Sequence, residues 1–87
     1  MWKIVYSKQA VKDSNKIIES NLHNKVKHLI HILEEDPFQA PPPYEKLIGD
    51  LSGAYSRRVT LQYRLVYQVF PDEKIVRILR MWTQYEL

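Results

Sequence analysis

Four of the five prolines in this 87-residue chain fall between Pro37 and Pro43, and three of them, Pro41-Pro42-Pro43, are consecutive. Proline has no amide proton to donate, fixes its own φ, and pushes the residue before it out of the α region. Asp36-Pro37 therefore stops any helix arriving from the N-terminal side. The triplet, followed by Gly49, makes 37–50 a stiff extended connector, too long for a simple turn and of the kind that carries function in compact domains. It also divides the chain into halves of different hydrophobic period.

Before the connector the pattern is mostly helical. Trp2, Ile4 and Tyr6 alternate as a short strand, and Ser7 offers an N-cap. Ala10, Val11, Ile17 and Ile18 then recur at helical spacing from Lys8 to about Ser20. After a break at Asn21, Leu22, Val26, Leu29, Ile30 and Leu33 form a stronger stripe, so two successive helices should make a hairpin. Beyond the connector, segments at about 54–60, 63–70 and 74–83 read as strands of an antiparallel meander, with Pro71-Asp72 as the last turn. The order β-α-α-β-β-β predicts a single α+β domain over 1–87, an antiparallel sheet with a two-helix hairpin packed on one face. The other face is left for function.

Composition narrows the classes. With 45% hydrophobic and 26% charged residues the chain reads as globular rather than disordered, and no apolar run approaches the roughly 20 residues of a membrane span. The N-terminus lacks the pattern of a secretory signal, and the absence of cysteine excludes disulfides and thiolate metal sites, so no membrane association and a cytoplasmic location are expected. A net charge of +3 permits a nucleic-acid partner without demanding one.

The arrangement of charge says more than its sum. Between Asp50 and Asp72 there is no acidic residue, yet Arg57, Arg58 and Arg64 lie in the two β-like runs of that window, and Arg77 and Arg80 follow in the next. Guanidinium forks grip phosphate or carboxylate oxygens bidentately. Strand alternation puts Tyr55, Arg57 and Val59 on one face and Ser56, Arg58 and Thr60 on the other, so Arg57 and Arg58 cannot share a site. Tyr55, Tyr63, Tyr67, Trp82 and Tyr85 interleave with the arginines as on a single-stranded RNA surface, although Tyr67 and at least one other are expected in the core. Glu45 and Lys46 precede the basic strands, and Glu45 is open to two readings, a salt bridge or a general base beside anion-binding groups. His23, His28 and His31 on the second helix are read as surface or boundary residues rather than a metal site, and Glu34-Glu35-Asp36 as a solvated helix end.

The stretch from Tyr44 to Tyr67, with Glu45, Leu51-Ser52-Gly53, Ser56-Arg57-Arg58 and Arg64-Leu65-Val66-Tyr67 in order, resembles the YoeB/Txe toxins of the RelE/ParE toxin–antitoxin superfamily. The β-α-α-β-β-β order agrees with that resemblance along essentially the whole chain. It implies a RelE-like fold and a metal-independent, cofactor-free endoribonuclease that cuts mRNA on the ribosome by attack of the 2′-hydroxyl on the adjacent phosphate. By matching position, Glu45 is the implied general base and Arg64 the phosphate stabiliser, with Arg58 as helper; Lys46, Arg80 and Arg57 are counted among the RNA- or phosphate-contact residues, with strand alternation giving Arg57 a structural or backbone-contact role. The family pattern ends in His-Tyr, the His as general acid and the Tyr as a contact to the base. Here Gln84-Tyr85 takes that place if two residues are added after Arg80, whereas an ungapped register puts Trp82-Thr83 there. Neither register supplies an imidazole, and losing a general acid costs on the order of 100- to 10,000-fold in rate, so attenuated activity is expected. The implied partners are a cognate YefM/Phd-like antitoxin, the ribosome and mRNA, with a homodimer allowed. The alternatives are a gyrase-binding toxin of the ParE type without nuclease chemistry, and an inactive toxin that only binds antitoxin.

Overall fold

Ser7 sets the first corner of the molecule. In the computed structural model, which describes residues 1–49 and 53–84 and the last three of these by backbone alone, strand β1 (Lys3–Tyr6) leads directly into helix α1 (Lys8–Ile18). The Ser7 hydroxyl accepts from the Ala10 amide at 3.0 Å and donates to the Leu79 carbonyl at 2.9 Å. One side chain thus caps the helix and ties it to a strand 72 residues away in sequence. Helix α2 (His23–Glu35) follows a short break in which the Ser20 hydroxyl accepts from the Leu22 amide. It stops at Asp36, whose φ of −163° and ψ of 107° are the extended geometry that a following proline enforces.

The connector yields one more strand than the sequence predicts. Tyr44–Lys46 pairs with the next strand and becomes β2, followed by β3 (Ala54–Arg58), β4 (Tyr63–Phe70) and β5 (Ile75–Gln84). The order across the sheet is β1-β5-β4-β3-β2. The meander β3-β4-β5 is antiparallel as expected, and β2 adds antiparallel to β3. β1 instead runs parallel to β5, with Lys3 level with Ile75 and Tyr6 with Ile78, so the sheet is mixed. The reason is topological. The β1–α1–α2 excursion covers the helical face and returns through the connector to the far edge, leaving the last strand to slot in beside the first.

Both helices pack on one face. Ala10, Ile17, Leu22, Val26, Leu29 and Leu33 meet Val59, Leu65, Tyr67, Val76, Ile78 and Met81 there in the main core. Among the described residues, the opposite face carries a small cluster of Leu47, Ala54 and Val66, with Leu79 against it. Two details depart from the sequence pattern. Val11 and Ile18 are more than half exposed, and the buried stripe of α1 is Ala10, Asp13 and Ile17. Asp13 sits at the i+3 position of that stripe, where it accepts from Arg80 Nε at 2.8 Å, the Met81 amide at 3.2 Å and Gln9 at 3.1 Å. Burial opposes its charge, but these hydrogen bonds and the Arg80 charge outweigh it and hold the carboxyl below the ordinary aspartate range.

Candidate active site

Alternation along β3 separates its two arginines. Tyr55, Arg57 and Val59 face the helices, while Ser56 and Arg58 face the open side. On that open side β2 brings Glu45 level with Ser56, and β4 brings Arg64 level with Arg58. The result is a small concavity of about 170 Å³ lined by Pro43, Glu45, Ser56, Arg58 and Arg64. Glu45 Oε2 lies 3.3 Å from an Arg64 terminal nitrogen, and the Ser56 hydroxyl accepts from the same nitrogen at 3.4 Å. The Arg64 side chain is 17% exposed and that of Glu45 is 55% exposed, so the arginine is held while the carboxylate stays open to a ligand. A pair as wet as this adds little to stability. Its interest is chemical: a carboxylate that can take a proton, beside two guanidinium groups that can hold an anion.

Arg57 does not belong to this concavity. Expected among the phosphate-binding residues, it is 1% exposed on the helix side, and its donors are spent inside the protein. Nε donates to the Tyr67 hydroxyl at 3.1 Å, one terminal nitrogen to the Pro42 carbonyl and the other to the Pro37 carbonyl at 2.9 Å. Its guanidinium carbon lies 5.0 Å from the centre of the Tyr44 ring. Burial pushes the Tyr67 phenol up to about 12 against the lowering influence of Arg57, so it stays protonated and reaches the Pro37 carbonyl at 3.4 Å. Arg80 is likewise turned to the helix side, on Asp13, instead of a phosphate. Lys46 is exposed and level with helix-side Tyr55, outside the lining of the concavity. The structure thus places Arg57 on interior carbonyls, Arg80 on a buried carboxylate and Lys46 on the other strand face, none of them in the lining of the concavity.

Gln84 closes β5, and its backbone position is set by two irregularities. Going from Tyr67 to Tyr63, four steps along β4, the partner moves from Ile78 to Gln84, six steps along β5. The two extra residues are absorbed by register shifts opposite Arg64–Val66 and Val66–Tyr67, which bring Gln84 rather than Trp82 level with Tyr63. Tyr85 lies outside the described residues. His23, His28 and His31 are exposed, and among the described residues no group of three or more metal-binding side chains converges. Among the described residues, too, no helix is long and apolar enough to cross a membrane.

Sequence reasoning passed over Ser56, Pro43 and Asp13. Ser56 shares its strand face with Arg58, a signal that was present. Asp13 betrays itself only as a carboxylate on an apolar helical stripe. Pro43 has no sequence signal, because the path of the connector decides what it lines.

A small α+β protein whose uncovered sheet face holds a carboxylate and two arginines is the class defined by this fold and site. The chain belongs to the YoeB-like toxins of bacterial type II toxin-antitoxin systems, whose family model matches residues 6–85. A YoeB toxin of Streptomyces coelicolor is 38% identical over 52 residues, 60% of this chain and 62% of that protein, so the match spans less than two thirds of that relative. By structure, a YoeB/ParE toxin from Agrobacterium tumefaciens superposes with a TM-score of 0.86 at 26% identity, over 95% of this chain and 99% of that one. The chain is similarly close to a protein of the heterotetrameric YoeB-YefM toxin-antitoxin complex of Staphylococcus aureus, with a TM-score of 0.82 at 26% identity over 98% and 99% of the two chains.

Proposed function

We propose that this protein is a metal-independent endoribonuclease that cleaves mRNA on the ribosome, and that a YefM-like antitoxin silences it. The observation that carries this reading is the placement of Glu45, 3.3 Å from Arg64, in the concavity that Arg58 also lines. Membership of the YoeB-like toxins supports it.

The chemistry assigned to these residues balances. Glu45 takes the proton from a ribose 2′-hydroxyl as that oxygen attacks the adjacent phosphorus. Arg64 and Arg58 hold the non-bridging oxygens while negative charge builds on them. The bond from phosphorus to the 5′-oxygen breaks, leaving a 2′,3′-cyclic phosphate, and the departing oxygen takes a proton. Gln84 is the residue assigned to that last step. An amide donates a hydrogen bond but no proton, so water must supply it, and the rate is attenuated. The assignment rests on the alignment: of the two extra residues in β5, one falls between Ile78 and Arg80 and one between Arg80 and Thr83, whereas the Gln84-Tyr85 alignment adds both after Arg80. Tyr85 is assigned to contact with a base. The antitoxin partner rests on the Staphylococcus aureus complex, and a homodimer on family likeness. The cytoplasm is the compartment in which ribosome and mRNA are available.

Ribosome-programmed mRNA cleavage by this chain, Glu45→Ala and Gln84→His, compared side by side, tests the reading. Glu45→Ala should abolish most of the cleavage and Gln84→His should raise it. Equal cleavage by the chain and Glu45→Ala would overturn the assignment of the base. Growth arrest with DNA damage and no mRNA cleavage would favour the gyrase-binding alternative, and antitoxin binding with no growth effect the inactive one.

A further inference from the structure

Glu45 stands on a strand that has little to hold it. β2 is three residues long, lies at the sheet edge and, among the described residues, pairs with β3 alone. A proline-rich connector feeds it from one side, and from the other the Leu47 amide reaches the Ala54 carbonyl at 2.9 Å. An edge strand this short frays readily unless something else fixes it.

We infer that Arg57 is a positioning residue that acts through Glu45, holding the connector and β2 in place from the opposite face of the sheet. Its three donor groups diverge from one rigid plane to Tyr67 on β4 and to the Pro37 and Pro42 carbonyls, at the start of the connector and two residues before β2. Its guanidinium also lies over the ring of Tyr44, the residue before Glu45. That ring packs against Tyr55 at 5.8 Å and Phe38 at 6.1 Å, and Phe38 meets Tyr55 edge-on at 5.5 Å, so the strand is clamped by an aromatic cluster built around the charge. Among the described residues no carboxylate pairs with Arg57. A carboxylate would neutralise the charge on one side only, whereas carbonyls from two points of the connector spread the restraint along the segment that leads to Glu45. Lysine cannot replace it, since an ammonium offers neither the planar fork nor the stacking surface.

The catalytic consequence rests on the nuclease reading given above; the structural one does not. A misplacement of the base by about 1 Å is enough to cost roughly 100-fold in rate. The experiment measures cleavage of ribosome-bound mRNA by the chain, Arg57→Lys, Glu45→Ala and the double variant, together with amide hydrogen exchange of the free proteins. Arg57→Lys should slow cleavage about 100-fold, and it should add nothing in the Glu45→Ala background. Exchange at the Leu47 amide should speed up at least about tenfold while the Leu65 amide in β4 keeps its protection.

Equal losses in both backgrounds, or unchanged exchange at Leu47, overturn the inference. If the unaltered chain fails to cut RNA, the nuclease reading falls, and the Leu47 exchange alone decides whether Arg57 holds β2. Should Arg57→Lys not fold, Tyr67→Phe removes a single contact of the guanidinium. It should shift Leu47 exchange in the same direction by a smaller factor, and no shift would overturn the inference.

Discussion

Arg57 and Arg58 are neighbours in sequence and opposites in environment. On the helix side, Arg57 is enclosed by two proline carbonyls, the Tyr67 hydroxyl and the Tyr44 ring, and Arg80 is bound to buried Asp13. On the open side, Arg58 is exposed in the concavity, and among the described residues Arg64 meets a half-exposed carboxylate and a serine hydroxyl. A guanidinium whose donors already have interior partners serves as a structural tie. One whose partners are wet or weak keeps its donors for a ligand. The period of two along a strand makes the difference, because one step along β3 crosses from the packed face to the uncovered one.

The sharpest way to break this comparison is to remove charge from the open face. Glu45→Ala should lower mRNA cleavage by on the order of 100- to 10,000-fold, and Arg64→Ala by about 100- to 1,000-fold, with melting curves close to that of the unaltered chain. A large fall in melting temperature for Glu45→Ala would mean that the open face is structural too. The mirror experiment is Arg57→Met on the helix side, which leaves the Pro37 and Pro42 carbonyls without their charged donor. Hydrogen bonds to charged groups are worth about 1.5 to 3 kcal/mol, and denaturant unfolding should show a loss of at least that size.

A smaller effect is expected from Asp13→Asn, about 1 to 3 kcal/mol, because the amide can still accept from the Met81 amide but lacks the charge that pairs with Arg80. Its pH dependence carries a definite sign. The folded carboxyl titrates below its unfolded value, so its contribution is present above the ordinary aspartate range near pH 4 and is lost as pH falls through the lower folded value. The stability gap between the unaltered chain and Asp13→Asn should therefore be full at neutral pH and narrow below about pH 4. Denaturant midpoints measured from pH 7 down to pH 3 check this, and a gap that widens on acidification contradicts it. The smallest stability change belongs to Arg58→Ala, within about 0.5 kcal/mol by thermal unfolding, although cleavage should still fall. Equal destabilisation by Arg57→Met and Arg58→Ala would erase the distinction between the faces.

Much of the fold was legible in the sequence for local reasons. Ser7 before a helical stripe, Asp36-Pro37 at its end, and alternation through 54–58 and 63–70 each depend on residues close together in the chain. The opposite faces of Arg57 and Arg58 followed from strand period in the same way. β2 was not legible, because three residues inside a proline-rich connector carry no period; only β3 alongside makes Tyr44–Lys46 a strand. The parallel entry of β1 beside β5 was hidden for a similar reason, since strand direction is a property of the pair. Val11 and Ile18 fit a helical stripe on spacing yet lie exposed, because the actual stripe runs through Asp13 and has its partner 67 residues away in Arg80.

The candidate site divides along the same line. The sequence alone determined which residue types are present, their order, and the resemblance that singles out Glu45, Arg58 and Arg64, because motif and periodicity are written in neighbouring letters. Only the tertiary structure decided that Glu45 lies against Arg64, that Arg57 and Arg80 are tied to interior partners, and that the register shifts of β5 bring Gln84 level with Tyr63. Those facts depend on which strands become neighbours and on which face of the sheet the helices cover. Both are set by the burial of apolar surface over the whole chain, and no short stretch of residues contains that information.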